Sequence, residues 1–272
     1  MITWALAWTN AKIVNEYLSF YNLIFIRFLL GFISLIPFVF IFKNKFPRLM
    51  DFKYIILPSI LFLIYNIAFF KGTYYGLAGK GAILVTTLNP LFTVFIMSII
   101  NKKISKYDLI GVSLGIIGGI IIMDLYSIGL QGIFQSGNLY FIVCAISWGI
   151  MTVLINYAQK IINPYIFICL CYFITMIMTL PFISPYEILN ANLDLRFYIN
   201  FFFVSLGAMS FGTSIYMYYT PILGPSKASI FIFSVPFLAI GLANIFLNEP
   251  FTLNIIIGGT ISLLAIYIVN RK

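Results

Sequence analysis

The chain contains no histidine, and only 8% of its residues are charged. Soluble proteins carry roughly 25% charged residues, so this chain has too little polar surface to cover a globule in water. Without His, and without paired carboxylates, the usual metal ligands and general acid–base groups are missing. That argues against an integral-membrane enzyme acting on lipid. The three cysteines, Cys144, Cys169 and Cys171, all lie in apolar segments. Cys169 and Cys171 are two apart on a helix and point about 200° apart, so they cannot share a metal. They read as buried free thiols. No Walker sequence or Gly-rich phosphate loop is present, which removes ATP-driven chemistry by this chain alone. No cofactor is expected. No cleavable signal peptide is visible, because Met1 leads directly into the apolar run from Trp4 to Trp8.

What is present is hydrophobic residue, 62% of the 272, with 29 Phe and 18 Tyr. The solvent of such a chain is largely lipid. A membrane span needs about 20 apolar residues, so the length accommodates roughly ten helices with short loops. The apolar runs cover about 1–17, 19–42, 54–77, 81–100, 107–125, 138–158, 164–184, 197–220, 226–247 and 252–270. The first is short, and its upstream half is expected to be missing. The fold class is therefore all-α integral membrane, with ten transmembrane helices.

The net charge of +9 does not form a stripe for nucleic acid; it lies between the apolar runs, where it reports sidedness. Lys43, Lys45, Arg48 and Lys53 follow helix 2, Lys102, Lys103 and Lys106 follow helix 4, and Lys160 follows helix 6. Lys227 opens helix 9, and Arg271 and Lys272 end the chain. The alternate loops hold only Lys80 and Arg196. The expected location is the cell (inner) membrane, with multiple passes and both termini cytoplasmic.

Motifs recur between the halves. Trp4 and Trp148, and Pro37 and Pro181, are each separated by 144 positions. The Asn89-Pro90 and Val235-Pro236 turns of helices 4 and 9 match at an offset of 146, and Gly111 and Gly258 match at 147. Five helices is an odd number, so the second half must be inverted relative to the first. The expected domains are 1–125 and 138–270, two inverted five-helix repeats with a substrate site between them near the midplane.

Taken in order, these signals resemble the EamA-type members of the drug/metabolite transporter superfamily. The resembling residues are Trp4 with Lys12, Arg27-Phe28, Asn89-Pro90-Leu91, Val235-Pro236-Phe237, and the acidic turn Asn248-Glu249-Pro250. The first half carries Lys102 where the second has its glutamate. The resemblance implies secondary transport of small metabolites, such as amino acids or related and carboxylate-bearing compounds, with no cofactor. A non-transporting membrane scaffold is the alternative, but it would not require matched midplane prolines.

Charges inside hydrocarbon cost about 2.5–3.5 kcal/mol each. Lys12, Arg27 and Lys71 are the candidates, all in the outer half of the first repeat, with Asn156, Cys171 and Met217 at the matching positions. They form either an electropositive vestibule for an anionic group or a set of side chains snorkelling to headgroups and helix-end partners such as Glu16. The acidic residues Glu16, Asp51, Asp108, Asp124, Glu187, Asp194 and Glu249 fall at helix ends or in loops. Facilitated diffusion, exchange, or coupling without an intramembrane carboxylate is therefore expected.

At depth, Thr86 and Asn89 share a face of helix 4, and Pro90 frees the Thr86 carbonyl. Asn66, Trp148, Ser210, Thr213 and Tyr216 complete the candidate substrate site with Arg27 and Lys71. Polar residues of this kind also serve as helix–helix glue. The glycine stripe Gly111, Gly115 and Gly119 fits close packing within a bundle, and a homodimer seam is its alternative use. If Lys71 binds substrate, Lys71→Gln should weaken the affinity for a carboxylate-bearing substrate in a transport assay. Unchanged affinity would assign Lys71 to the headgroups.

Overall fold

The computed structural model describes all residues except 42–45, 103–104, 136, 251 and 270–272. Lys43, Lys45, Lys103, Arg271 and Lys272 of the charge count therefore lie outside the described residues. Most of the described residues are helical; besides short elements such as Leu125–Ile128, Leu130–Phe134 and Pro185–Asn190, they form ten longer stretches. They are α1 (Ile2–Val14), α2 (Phe20–Ile41), α3 (Lys53–Tyr75), α4 (Ala78–Ile100) and α5 (Lys106–Ile122), then α6 (Asn138–Ala158), α7 (Pro164–Thr179), α8 (Leu195–Leu223), α9 (225–247) and α10 (Leu253–Val269). By length and composition, six segments can cross a membrane: α2, Leu49–Tyr75, α4, α6, Pro164–Phe182 and α8. Leu109–Ile122, Leu238–Leu247 and Leu253–Ala265 are shorter apolar helices. With 13 residues, α1 extends about 20 Å at 1.5 Å per residue.

The ends follow from local chemistry. The Asn163 side chain accepts from the Tyr165 amide to open α7, with Pro164 in the first turn, and Asp194 accepts from the Phe197 amide to open α8. Gly224, at φ 85°, ends α8, and Asn248, at φ 50°, ends α9. Both have the positive φ that turns the chain out of the helix.

Two helices are irregular where the sequence suggests continuity. The middle of α8, Phe203–Thr213, is π-helical. In α9, Pro225–Ile230 and Val235–Leu247 are separated by a 3-10 turn at Phe231–Ser234. Pro236 follows that turn directly. A proline cannot donate to the carbonyl four residues back, and the tighter turn rearranges the ladder just ahead of it. By contrast, α4 runs unbroken through Pro90.

Helix α4 forms the centre. Every residue from Gly81 through Leu91 is buried, as expected of a helix surrounded by protein on all sides. Packed against it are α6, α9, α5 and α10; α3 lies on α6 and α7, α2 on α7 and α8, and α1 on α8 and α9. The three cysteines are buried and free.

The glycine stripe of α5 is used inside the chain. A Cβ at Gly115 would stand 1.9 Å from Leu91 Cδ1 on α4, and one at Gly118 would stand 2.7 Å from the Gly258 carbonyl oxygen on α10. Gly111 and Gly119 are buried on the same side. Packing within the chain accounts for Gly115, Gly118 and Gly119, and nothing here supports the homodimer seam through Gly111, Gly115 and Gly119. Overpacking costs about 1–3 kcal/mol, so Gly118→Val should lower the melting temperature in detergent by several degrees. Gly241→Ala, which meets nothing within 4 Å, should leave it nearly unchanged.

Candidate functional site

The centre of the bundle encloses a cavity of about 40 Å³, with Trp4 and Trp8 of α1, Arg27 of α2, Phe62, Tyr65, Asn66 and Phe69 of α3, Thr86 and Asn89 of α4, Trp148 of α6, Met209 and Thr213 of α8, and Ile232 of α9 on its walls. A water requires about 10–15 Å³, so the space holds a few waters. It is far below the roughly 300–1,000 Å³ of a small-molecule pocket.

Arg27 is the charge on this wall, 6% exposed. Its Nε donates to the Val204 carbonyl at 3.1 Å and its Nη1 to Asn66 Oδ1 at 2.7 Å. The Asn66 amide in turn donates to the Phe62 carbonyl at 2.9 Å, which fixes the amide orientation. The guanidinium lies 5.4 Å from the Phe69 ring centroid and 5.8 Å from that of Phe70, within cation–π range. Among the described residues, ion pairs form only at Lys12–Glu249 and Arg196–Glu16. No carboxylate neutralises Arg27.

The Val204 carbonyl belongs to the π-helical stretch of α8, which also accepts from two other helices. Trp4 Nε1 donates to the Ala208 carbonyl at 3.0 Å, and the Tyr172 hydroxyl to that of Met209 at 3.0 Å. The hydroxyls of Thr213 and Ser214 bond carbonyls five residues back, those of Ala208 and Met209. In α4 and α6, Thr86 and Thr152 bond four residues back. The wider turn thus offers backbone oxygens to Arg27, Trp4 and Tyr172. Gly212 permits the approach, since a Cβ there would stand 2.9 Å from Trp4 Nε1.

An aromatic cluster backs the cavity. The Trp4 ring lies 5.1 Å from Trp148 and 5.2 Å from Tyr216, edge-on to the first and tilted to the second. Two polar groups on buried cavity residues have no hydrogen-bond partner, Asn89 Oδ1 and Trp148 Nε1. A buried polar group left unpaired costs about 1–3 kcal/mol, and both can serve a ligand.

Of the residues singled out in the sequence, Arg27, Asn66, Thr86, Asn89, Trp148 and Thr213 meet at this cavity. Tyr216 stands behind it, its hydroxyl 3.1 Å from Thr152 Oγ1. Ser210 lines a separate lateral cleft with Leu35, Phe38 and Tyr165. Lys71 lies away from the cavity, its Nζ 4.8 Å from the Phe20 ring centroid and 5.9 Å from that of Tyr140. Lys12 pairs with Glu249 at 3.0 Å, and Glu16 with Arg196 at 3.2 Å. Missed as site residues were Trp4, Trp8, Tyr65, Phe69 and Met209. The pairing of Trp4 with Trp148 at equal positions in the two halves was a usable signal for the first of them.

The comparisons with known proteins agree with this picture. The model of the EamA-like transporter family matches residues 1–124 and again 135–271. An uncharacterized transporter of Archaeoglobus fulgidus is 24% identical over 99% of this chain and 95% of its own length. The uncharacterized transporter YoaV of Bacillus subtilis is 24% identical over 94% and 89%. A protein of known crystal structure superposes on 98% of the chain and 95% of its own with a TM-score of 0.63 at 15% identity, a likeness of fold alone. The chain belongs to the EamA-like transporter family and is a multi-pass membrane transporter; at the level of the family it is no enzyme.

Tyr172 is fully buried, and its hydroxyl contacts both the Met209 carbonyl and Ser214 Oγ. Tyr172→Phe should therefore destabilise the protein by about 1–3 kcal/mol, read as a lower melting temperature in detergent. Tyr198→Phe, at an exposed position, should not.

Proposed function

We propose that this protein is a secondary transporter of small carboxylate-bearing metabolites, amino acids or related compounds, working by alternating access. The observation that carries the reading is Arg27, a buried cation on the wall of the central cavity with no carboxylate of its own. A charge of this kind needs a partner, and an anionic substrate supplies one. Asn89 Oδ1 would accept from a donor on the same substrate, and the Trp4, Trp148 and Phe62 rings would pack its apolar part.

Alternating access in this reading comes from ten spans in two inverted halves, residues 1–125 and 138–270. Support comes from the family model matching two successive stretches of the chain. It comes also from the packing. When each helix is exchanged for its counterpart five places on, the pair α3–α6 becomes α8–α1, α4–α6 becomes α9–α1, and α2–α8 becomes α7–α3. The pairs α5–α10, α2–α7 and α4–α9 map onto themselves. All of these pairs are in contact. A two-fold axis in the membrane plane has this effect, and it sets the site at the interface of the halves. The basic loops support a reading with both termini in the cytoplasm of a cell (inner) membrane. The turns after α1, α3, α5, α7 and α9 then face outward.

The test is uptake or counterflow of labelled amino acids and other carboxylates in proteoliposomes. A charge-assisted hydrogen bond contributes about 1.5–3 kcal/mol, so Arg27→Gln should raise KM by about tenfold to a hundredfold. Arg27→Lys, which keeps the charge but not the planar fork, should fall between. Transport by Arg27→Gln at wild-type KM would refute the anionic-substrate reading.

A further inference from the structure

Both ion pairs among the described residues lie at the end of the bundle assigned to the outside, and one of them ties three elements together. Lys12, near the end of α1, donates to Glu249 Oε1 at 3.0 Å and to the Gly76 carbonyl at 2.8 Å. Glu249, in the turn between α9 and α10, is 7% exposed. Its two oxygens accept from the backbone amides of Ala78 and Gly79 at 2.7 and 2.8 Å. Those amides open α4, where the first turn leaves N–H groups without helical partners and the helix dipole favours a negative charge. Asn244 holds the turn in place by donating to the Glu249 carbonyl at 3.0 Å. Gly79 allows the approach, because a Cβ there would stand 3.4 Å from Glu249 Oε2 and 3.1 Å from Ala243 Cβ. The carboxylate is thus clamped between a cation on one helix and the open end of another.

Among the described residues, the opposite end holds no ion pair. The repeat puts Asn156 at the position of Lys12, and the turn after α4, Asn101-Lys102-Lys103, is basic where the turn after α9 carries Glu249. Lys102 has φ 53° and Asn248 φ 50°, so the left-handed residue falls one position later in the first half's turn than in the second's. At that same end the buried side-chain amide of Gln159 has neither its nitrogen nor its oxygen paired.

We propose that Lys12–Glu249 is the lock of the outer gate, and that its one-sidedness holds the unloaded transporter closed to the outside and more readily opened to the cytoplasm. The proposal rests on the sidedness and two-fold relation given under the function. Opening outward requires α1 to part from the start of α4 and the α9–α10 turn, and this breaks the ion pair. Opening inward breaks no ion pair among the described residues.

The test reads accessibility and needs no substrate. Cys144, Cys169 and Cys171 are replaced by alanine, and Ala7 on the cavity wall is replaced by cysteine. A membrane-impermeant maleimide is then applied to intact cells and, separately, to inverted vesicles. Ala7→Cys alone should label slowly from outside and faster from the cytoplasmic side. Lys12→Met and Glu249→Gln should each raise the external rate at least about tenfold and lower the cytoplasmic rate. Lys12→Glu, which sets two carboxylates together, should raise it further, and Lys12→Arg should keep the slow external rate. External rates unchanged by Lys12→Met and Lys12→Glu would overturn the lock, as would a parent that already labels faster from outside. A variant that labels faster from both sides has lost its fold, and the comparison then passes to the others in the series. Labelling as expected in a protein that transports no carboxylate would keep the gate and discard the substrate reading. The reverse result would do the opposite.

Discussion

A guanidinium held inside a lipid-soluble bundle with no carboxylate beside it is the constraint on which the centre of this structure depends. Burying an isolated charge is expensive unless it is hydrogen-bonded and paired. Arg27 has the first and lacks the second: its acceptors are the Val204 carbonyl and the Asn66 amide. Both are neutral and both are themselves held in place. The π-helical stretch of α8 presents the carbonyl, the Asn66–Phe62 bond orients the amide, and the Phe69 and Phe70 rings lie within range of the positive charge. An irregular backbone is tolerated at membrane depth only where protein or a cavity covers it, and here α1, α2 and α7 cover it.

The same arrangement links the site to the moving parts. Trp4 joins α1 to the π-helical stretch and lies edge-on to Trp148 of α6, so a widening of the cavity must disturb contacts on α1, α6 and α8 together. Lys12 lies two turns further along α1, in the outer clamp. Helix α1 therefore carries a group at the cavity and a group at the gate on one rigid element. In the proposed transport cycle, this is the mechanical connection that alternating access would use.

How much of this was legible depended on the kind of signal. Composition pointed to lipid as the solvent, and the apolar runs located the six long apolar segments to within a few residues, because helix length and lipid thickness leave little choice. Arg27, Asn66, Thr86, Asn89, Trp148 and Thr213 could be singled out because polar groups at depth must face protein. Lys71 and Ser210 have similar depth but a different direction around their helices. Depth follows from sequence position, whereas direction depends on the packing partner. The π register of α8 was hidden for a related reason: an α-helical count assigns residues beyond 203 to the wrong face. The small residues Ser205, Gly207, Ala208, Ser210 and Gly212 were its only trace. Glu249 looked like a loop acid, and its burial became visible only once α1 and α4 were brought together.

The central claim is that Arg27 waits for a negative charge, and ligand-induced stabilisation of the wild-type protein in detergent tests it most directly. Stabilisation grows as RT ln(1 + [L]/Kd), about 2.7 kcal/mol at a hundredfold excess over Kd. A panel of small carboxylates, each paired with its uncharged amide, should contain acids that raise the melting temperature while their amides do not. If the stabilising compounds act equally well as acid and amide, or if only cations stabilise, the account of Arg27 as the substrate's counter-charge is wrong.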